Sequence, residues 1–110
     1  MDHIKIIDAD IEHLPDIDDV MQGEQYTTGY RVNYQRWIRE FGPGVLRLHI
    51  INSHPLREIS LVDDGEAVLW VLAPEDTENF GKKIGQFTYE AESGAVKKSD
   101  LFSVMVKKSL

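Results

Sequence analysis

Asp8, Asp10 and Glu12 stand at alternate positions near the start of the chain, and Asp19 lies eleven residues after Asp8. That spacing faintly echoes a calcium-binding loop, whose oxygen ligands recur at every second position. His13 occupies the place of the loop's turn glycine, and Asp19 stands where a bidentate Glu belongs. These acids read better as a solvated connector. The histidines at 3, 13, 49 and 54 show no metal-ligand spacing and have no nucleophile motif beside them, so no triad is expected. Glu75, Asp76 and Glu78 form a carboxylate cluster, but acids there suit the first turn of a short helix, where they complement the dipole. Gly81 and Gly85 precede a strand and lack the Lys-Ser/Thr pair of a phosphate loop. Neither catalytic residues nor metal or cofactor ligands are expected. The aromatics Tyr26, Tyr30, Tyr34 and Trp37 remain as a platform for a ligand or a partner, or as core.

The elements that would position these residues are mostly strands. His3 to Asp8 is a short apolar-rich strand candidate, and Ala9 to Asp19, with Pro15, reads as a connector. Val20 to Gln22 begins a second strand that stops at Gly23. Tyr26, Thr28, Tyr30 and Val32 alternate with Thr27, Gly29 and Arg31, the period-two pattern of a strand. From Asn33 to Phe41 the spacing of Trp37 and Phe41 predicts one or two helical turns, ended by Gly42-Pro43-Gly44. Leu46, Leu48 and Ile50 predict a half-buried strand. A turn at 52–55, a strand from Leu56 to Val62 and a hairpin turn at Asp63-Asp64-Gly65 follow. Ala67 to Leu72, centred on Trp70, predicts a central strand. Pro74 to Thr77 predicts a single helical turn. Ile84 to Ala91, a turn at Ser93-Gly94, and a last strand with Phe102, Val104 and Val106 in phase complete the chain. The sum is an all-β antiparallel sandwich of about seven or eight short strands with one or two short helical turns.

Length sets the frame. The 110 residues suit one domain, 1–110, with 1–19 as its acidic N-terminal segment. Hydrophobic residues at 42% and charged residues at 28% are those of an ordinary globular chain. No apolar run approaches the ~18 residues of a membrane span. The opening Met-Asp-His-Ile-Lys is too polar for a secretory signal, and there are no cysteines to bridge or bind zinc. A net charge of −7 disfavours phosphate backbones, so neither nucleic acid nor membrane is an expected partner. The charge is uneven. Eight acids and one lysine lie between Met1 and Glu24, whereas Lys97, Lys98, Lys107 and Lys108 crowd the end. Head and tail can meet within a subunit, between subunits, or not at all.

The C-terminal half carries a more specific pattern. It runs from Trp37 through Phe41-Gly42 and Gly44 to His54-Pro55, then Val68-Leu69-Trp70-Val71, Asp76-Thr77 and Gly81. Gly85-Gln86-Phe87-Thr88-Tyr89, Val96-Lys97-Lys98-Ser99 and Val106-Lys107-Lys108-Ser109-Leu110 follow. In this order the motifs resemble a family of small phage structural proteins, similar to the N-terminal immunoglobulin-like domain of baseplate upper proteins. Gln22-Gly23-Glu24 resembles the family's early turn, so the likeness spans roughly residues 20–110. The chain departs from it at His54, where many relatives have Arg, and at Lys83, where many have Gly. The resemblance implies an immunoglobulin-like sandwich, with Trp70, Asp76, Thr77, Gly81, Gly85 and Ser99 as markers of the fold. It also implies a virion component of baseplate, tail or head-decoration type, made in the host cytoplasm. Its partners would be itself, as a homo-oligomer, and other virion proteins. The expected contact residues are Tyr30, Tyr34 and Trp37 if an aromatic patch is exposed, and Leu101, Ser103 and Met105 if the last strand is a sheet edge. A carbohydrate-binding module using the same aromatics is the alternative.

Overall fold

A computed structural model describes residues 4–53, 57–59 and 61–109. The turn expected at His54-Pro55, the first residue of the strand expected from Leu56, and the chain ends at His3 and Leu110 lie outside the described residues. The strands are β1 (Lys5–Asp10), β2 (Ile17–Met21), β3 (Thr28–Asn33), β4 (Gly44–Ile50), β5 (Arg57–Ile59), β6 (Val62–Asp63), β7 (Ala67–Val71), β8 (Gly81–Ala91), β9 (Val96–Lys98) and β10 (Phe102–Lys107). Two short helices, α1 (Gln35–Phe41) and α2 (Pro74–Thr77), interrupt them. The first sheet has the order β1-β3-β7-β6, and the second β2-β10-β8-β4-β5 with β9 also on β8. The molecule is an all-β sandwich.

Alternation explains most of these strands. Leu46, Leu48 and Ile50 of β4 face Phe87 and Tyr89 of β8 and Phe102, Val104 and Val106 of β10 across a common buried face. Tyr30 and Val32 of β3 and Val68 and Trp70 of β7 supply the opposite wall. Residues two apart on a strand point the same way, so each strand delivers one face to the core. Asp64 makes the β6–β7 turn by accepting from the backbone N–H groups of Glu66 and Ala67, and Gly65 takes the positive φ of +89° that the turn needs. In α1, Asn33 accepts from the Gln35 N–H, Trp37 enters the core, and Gly42 at φ +85° ends the helix.

The N-terminal segment corrects two expectations. Ile17 to Asp19 is strand, not connector, and the pairing is not antiparallel throughout. β1 runs parallel to β3, and β2 runs parallel to β10. Residues 11–16 carry the chain from the edge of one sheet to the edge of the other. The cause lies in apolar residues scattered among the acids: Ile11, Ile17 and Val20 are fully buried. These edge strands, with the two- and three-residue pieces β5, β6 and β9, raise the number of strands to ten among the described residues.

Candidate interaction surface

The aromatic patch expected at Tyr30, Tyr34 and Trp37 does not form, because all three side chains are buried. Tyr30 stacks on Trp70 at 6.1 Å and meets Phe102 edge-on at 5.4 Å. Tyr34 and Trp37 close the other end of the core around Tyr89, at 5.8 and 6.2 Å. The physical reason is that each ring is apolar while its polar tip reaches the rim of the sandwich and finds a partner there. The Tyr30 hydroxyl donates to the Pro15 carbonyl, and the Tyr34 hydroxyl to the Asp63 carboxylate at 2.7 Å. The Trp37 indole N–H donates to Glu12 at 3.4 Å. Desolvation pushes the pKa of both tyrosines up, and Asp63 adds to the effect at Tyr34. Tyr26 alone of the four expected platform aromatics is exposed, and its backbone is left-handed at φ +57°.

The condition set for edge contacts at Leu101, Ser103 and Met105, that the last strand be a sheet edge, is not met. β10 lies between β2 and β8, so its backbone is paired on both sides. The edge is β2, whose first three residues, Ile17 to Asp19, belong to the segment expected as a connector. The outward face of β10 is nevertheless open. Leu101, just before the strand, is 55% exposed and Met105 is 38% exposed, with Ser103 half-buried between them. Ser103 pairs with Ile84 and Met105 with Lys82 on β8. On the far side of β8, the Ile51 N–H donates to the Ile84 carbonyl at 2.9 Å, and Ile51 is 38% exposed. An apolar stripe therefore lies along this face, made by Leu101 just before β10, Met105 of β10, Ile84 of β8 and Ile51 just after β4. Lys82 stands beside it, and Asp16 accepts from the Ser103 N–H at 2.8 Å at its border.

The acidic head and basic tail do come together within the subunit. Met21 of β2 pairs with Lys107 of β10. Within the head itself, Lys5 bridges the seam between the sheets to Asp19 at 3.0 Å; this contact first, with Lys107 of the tail adding to it, holds the Asp19 carboxyl below its usual range. Desolvation opposes ionisation of Asp10, but the Glu12 N–H and the Arg36 guanidinium outweigh it and lower its pKa. Arg36 reaches both Asp10 and Glu12, so two of the three acids of the calcium-like spacing are engaged by α1. Among the described residues, no group of three or more His, Asp or Glu side chains is arranged to hold a metal ion.

The six marker residues build the fold in more specific ways than their types suggest. Asp76 is buried and accepts from Arg57, from the Ala73 N–H at 2.7 Å and from the Trp70 indole at 3.4 Å. Thr77 donates to the Glu24 carbonyl at 2.6 Å, and its own carbonyl accepts from the Gly23 N–H. It thereby fastens the Gln22-Gly23-Glu24 turn to α2, 53 residues further along the chain. Ser99 accepts from the Phe87 N–H at 2.9 Å and holds the entry to β10 against β8. Gly81 opens β8 at φ +126°. A Cβ at Gly85 would sit 2.5 Å from the Phe102 ring, so the missing side chain makes room for that ring. Compared with protein-family models and with curated proteins, the sequence shows no match.

Proposed function

We propose that the protein is a phage or prophage virion structural or assembly component, of baseplate, tail or head-decoration type. It works through contacts with copies of itself and with other virion proteins. On this reading it is made in the bacterial host cytoplasm and resides in the virion. The observation that carries the proposal is the stripe of Leu101, Met105, Ile84 and Ile51 on the outer face of the second sheet. Apolar residues that stand together on a surface mark contact sites more often than scattered ones do. The motif order from Trp37 to Ser109 adds the resemblance to phage structural modules, and closed symmetric self-association is the common state of such parts. Three of the four rings that a carbohydrate module would use, Tyr30, Tyr34 and Trp37, are in the core and only Tyr26 is exposed, which favours the structural reading over that alternative.

The test is sedimentation equilibrium on the wild type and on Leu101→Glu/Met105→Glu. The expected result is a discrete oligomer for the wild type and a monomer for the double variant. Both side chains point outward, so folding stability changes by no more than about 0.5 kcal/mol. A wild type that is monomeric at all concentrations and does not co-assemble with neighbouring virion proteins overturns the proposal.

A further inference from the structure

The two sheets part at the end of the sandwich where α2 leaves β7, and a cleft of about 150 Å³ opens there. Its floor is apolar, made by Ile50, Trp70, Leu72 and Val104. Arg57, Lys83 and Asn79 stand around it. Lys83 is the unexpected member. It pairs with Val104 on the register of β8 that faces the core, between Gly81 and Gly85. It is half-buried, and among the described residues no hydrogen bond or ion pair reaches its ammonium. Strand positions on a core face are ordinarily apolar, so a lysine on this register calls for a reason.

The acid nearest at hand does not neutralise it. The Asp76 carboxylate is already engaged by Arg57, by the Trp70 indole and by the Ala73 N–H. Arg57 has five N–H donors, and Asp76 takes one nitrogen of its fork. Among the described residues, the cleft therefore holds a lysine with no ion-pair partner and part of a guanidinium over an apolar floor. Exposed Glu75 at the rim weighs against ligands with more than one negative charge.

We infer that this cleft binds the carboxylate of a small monoanion, with Lys83 and Arg57 on the carboxylate and Trp70 and Leu72 under the carbon skeleton. The volume suits a single sugar acid or a single acidic side chain. Lys83 is the residue that gives the site its charge selectivity. The site is distinct from the outer-face stripe, so either reading can fail without the other.

The experiment is an amide and indole NMR titration of the full chain with sodium glucuronate, sodium glutamate, inorganic phosphate and glucose at constant ionic strength. Carboxylates are expected to move the Trp70 indole and Asn79 side-chain resonances, with a Kd on the order of 1 mM, the range open to ligands of about a dozen non-hydrogen atoms. Glucose and phosphate leave those resonances in place. Lys83→Gln weakens carboxylate binding at least ten-fold, whereas Lys83→Arg retains it, and both variants keep the wild-type spectrum elsewhere. Tighter binding of glucuronate identifies a sugar acid as the source, and tighter binding of glutamate an amino-acid carboxylate. The inference is overturned if neither carboxylate moves Trp70, if phosphate or glucose binds as well, or if Lys83→Gln binds like the wild type.

Discussion

At the scale of single residues, the buried carboxylate of Asp76 and the exposed ring of Tyr26 make opposite predictions. Asp76→Ala leaves the Trp70 indole N–H and the Ala73 N–H without their acceptor and Arg57 without its counter-charge. Removing this acceptor costs about 2 kcal/mol, because the buried Trp70 indole N–H is left unsatisfied while the partly exposed Arg57 turns to water. Urea denaturation should show that loss, and an unchanged midpoint would refute the role given to Asp76. Tyr26 is held at φ +57°, a conformation that costs a residue with a Cβ roughly 1 kcal/mol. Tyr26→Gly is therefore expected to raise the melting temperature by a few degrees, since 1 kcal/mol is worth about 4 °C or more in a domain of this size. A fall in melting temperature instead would mean that the ring contributes packing that its exposure hides. Neither effect is readable from residue type. Asp76 and Thr77 look like local turn makers, yet Asp76 reaches 19 residues back to Arg57 and Thr77 reaches 53 residues back to Glu24.

At the scale of elements, alternation carried most of the reading and failed where burial was irregular. β4, β7 and β10 are legible because Leu46, Leu48 and Ile50, then Val68 and Trp70, then Phe102, Val104 and Val106 keep strict phase. Trp37 and Phe41 at helical spacing gave α1 for the same reason. The N-terminal segment was not legible, because Ile17 and Val20 are three apart and a β-bulge between Val104 and Val106 absorbs the mismatch. The aromatics misled for a different cause. Tyr and Trp suit a surface platform and a core equally well, and the hydroxyl acceptors at Pro15 and Asp63 are far away in sequence. The observed role of β1 and β2 has a direct consequence. Deleting residues 1–13 removes β1, one of the two partners of β3, and uncovers the edge beside Tyr30 and Val32. Loss of the buried side chain of Ile11 alone is worth about 2 kcal/mol. The shortened chain should unfold at lower urea and scatter light as its bare β3 edge pairs with other molecules. A truncated chain that stays monomeric with the same urea midpoint would show that this strap is dispensable.

At the scale of the whole molecule, the perturbed groups bracket a plateau of stability. Asp10, Asp19 and Asp64 all have carboxyl pKa values below the usual range in the folded state, Asp64 chiefly through the Ala67 and Glu66 N–H groups. Their contribution is present above the unfolded value of about 4 and is lost as pH falls through the lowered folded values. Tyr30, Tyr34 and Tyr89 are shifted the other way, by desolvation first. Their contribution is complete below the unfolded value of about 10 and is lost as pH rises through the raised folded values. Stability should therefore be flat between these limits, apart from the slow build-up of negative charge in a chain that already carries −7 at neutral pH. Substituting the buried hydroxyls separates the two alkaline effects. Tyr30→Phe/Tyr34→Phe loses about 1 kcal/mol per hydrogen bond at pH 7 but cannot ionise, so its alkaline limb is shallower than the wild type's. General charge repulsion, by contrast, acts on both proteins alike. Urea midpoints measured from pH 7 to 11.5 distinguish the two: parallel alkaline limbs would assign the loss to net charge, and converging limbs assign it to the tyrosines that close the two ends of the core.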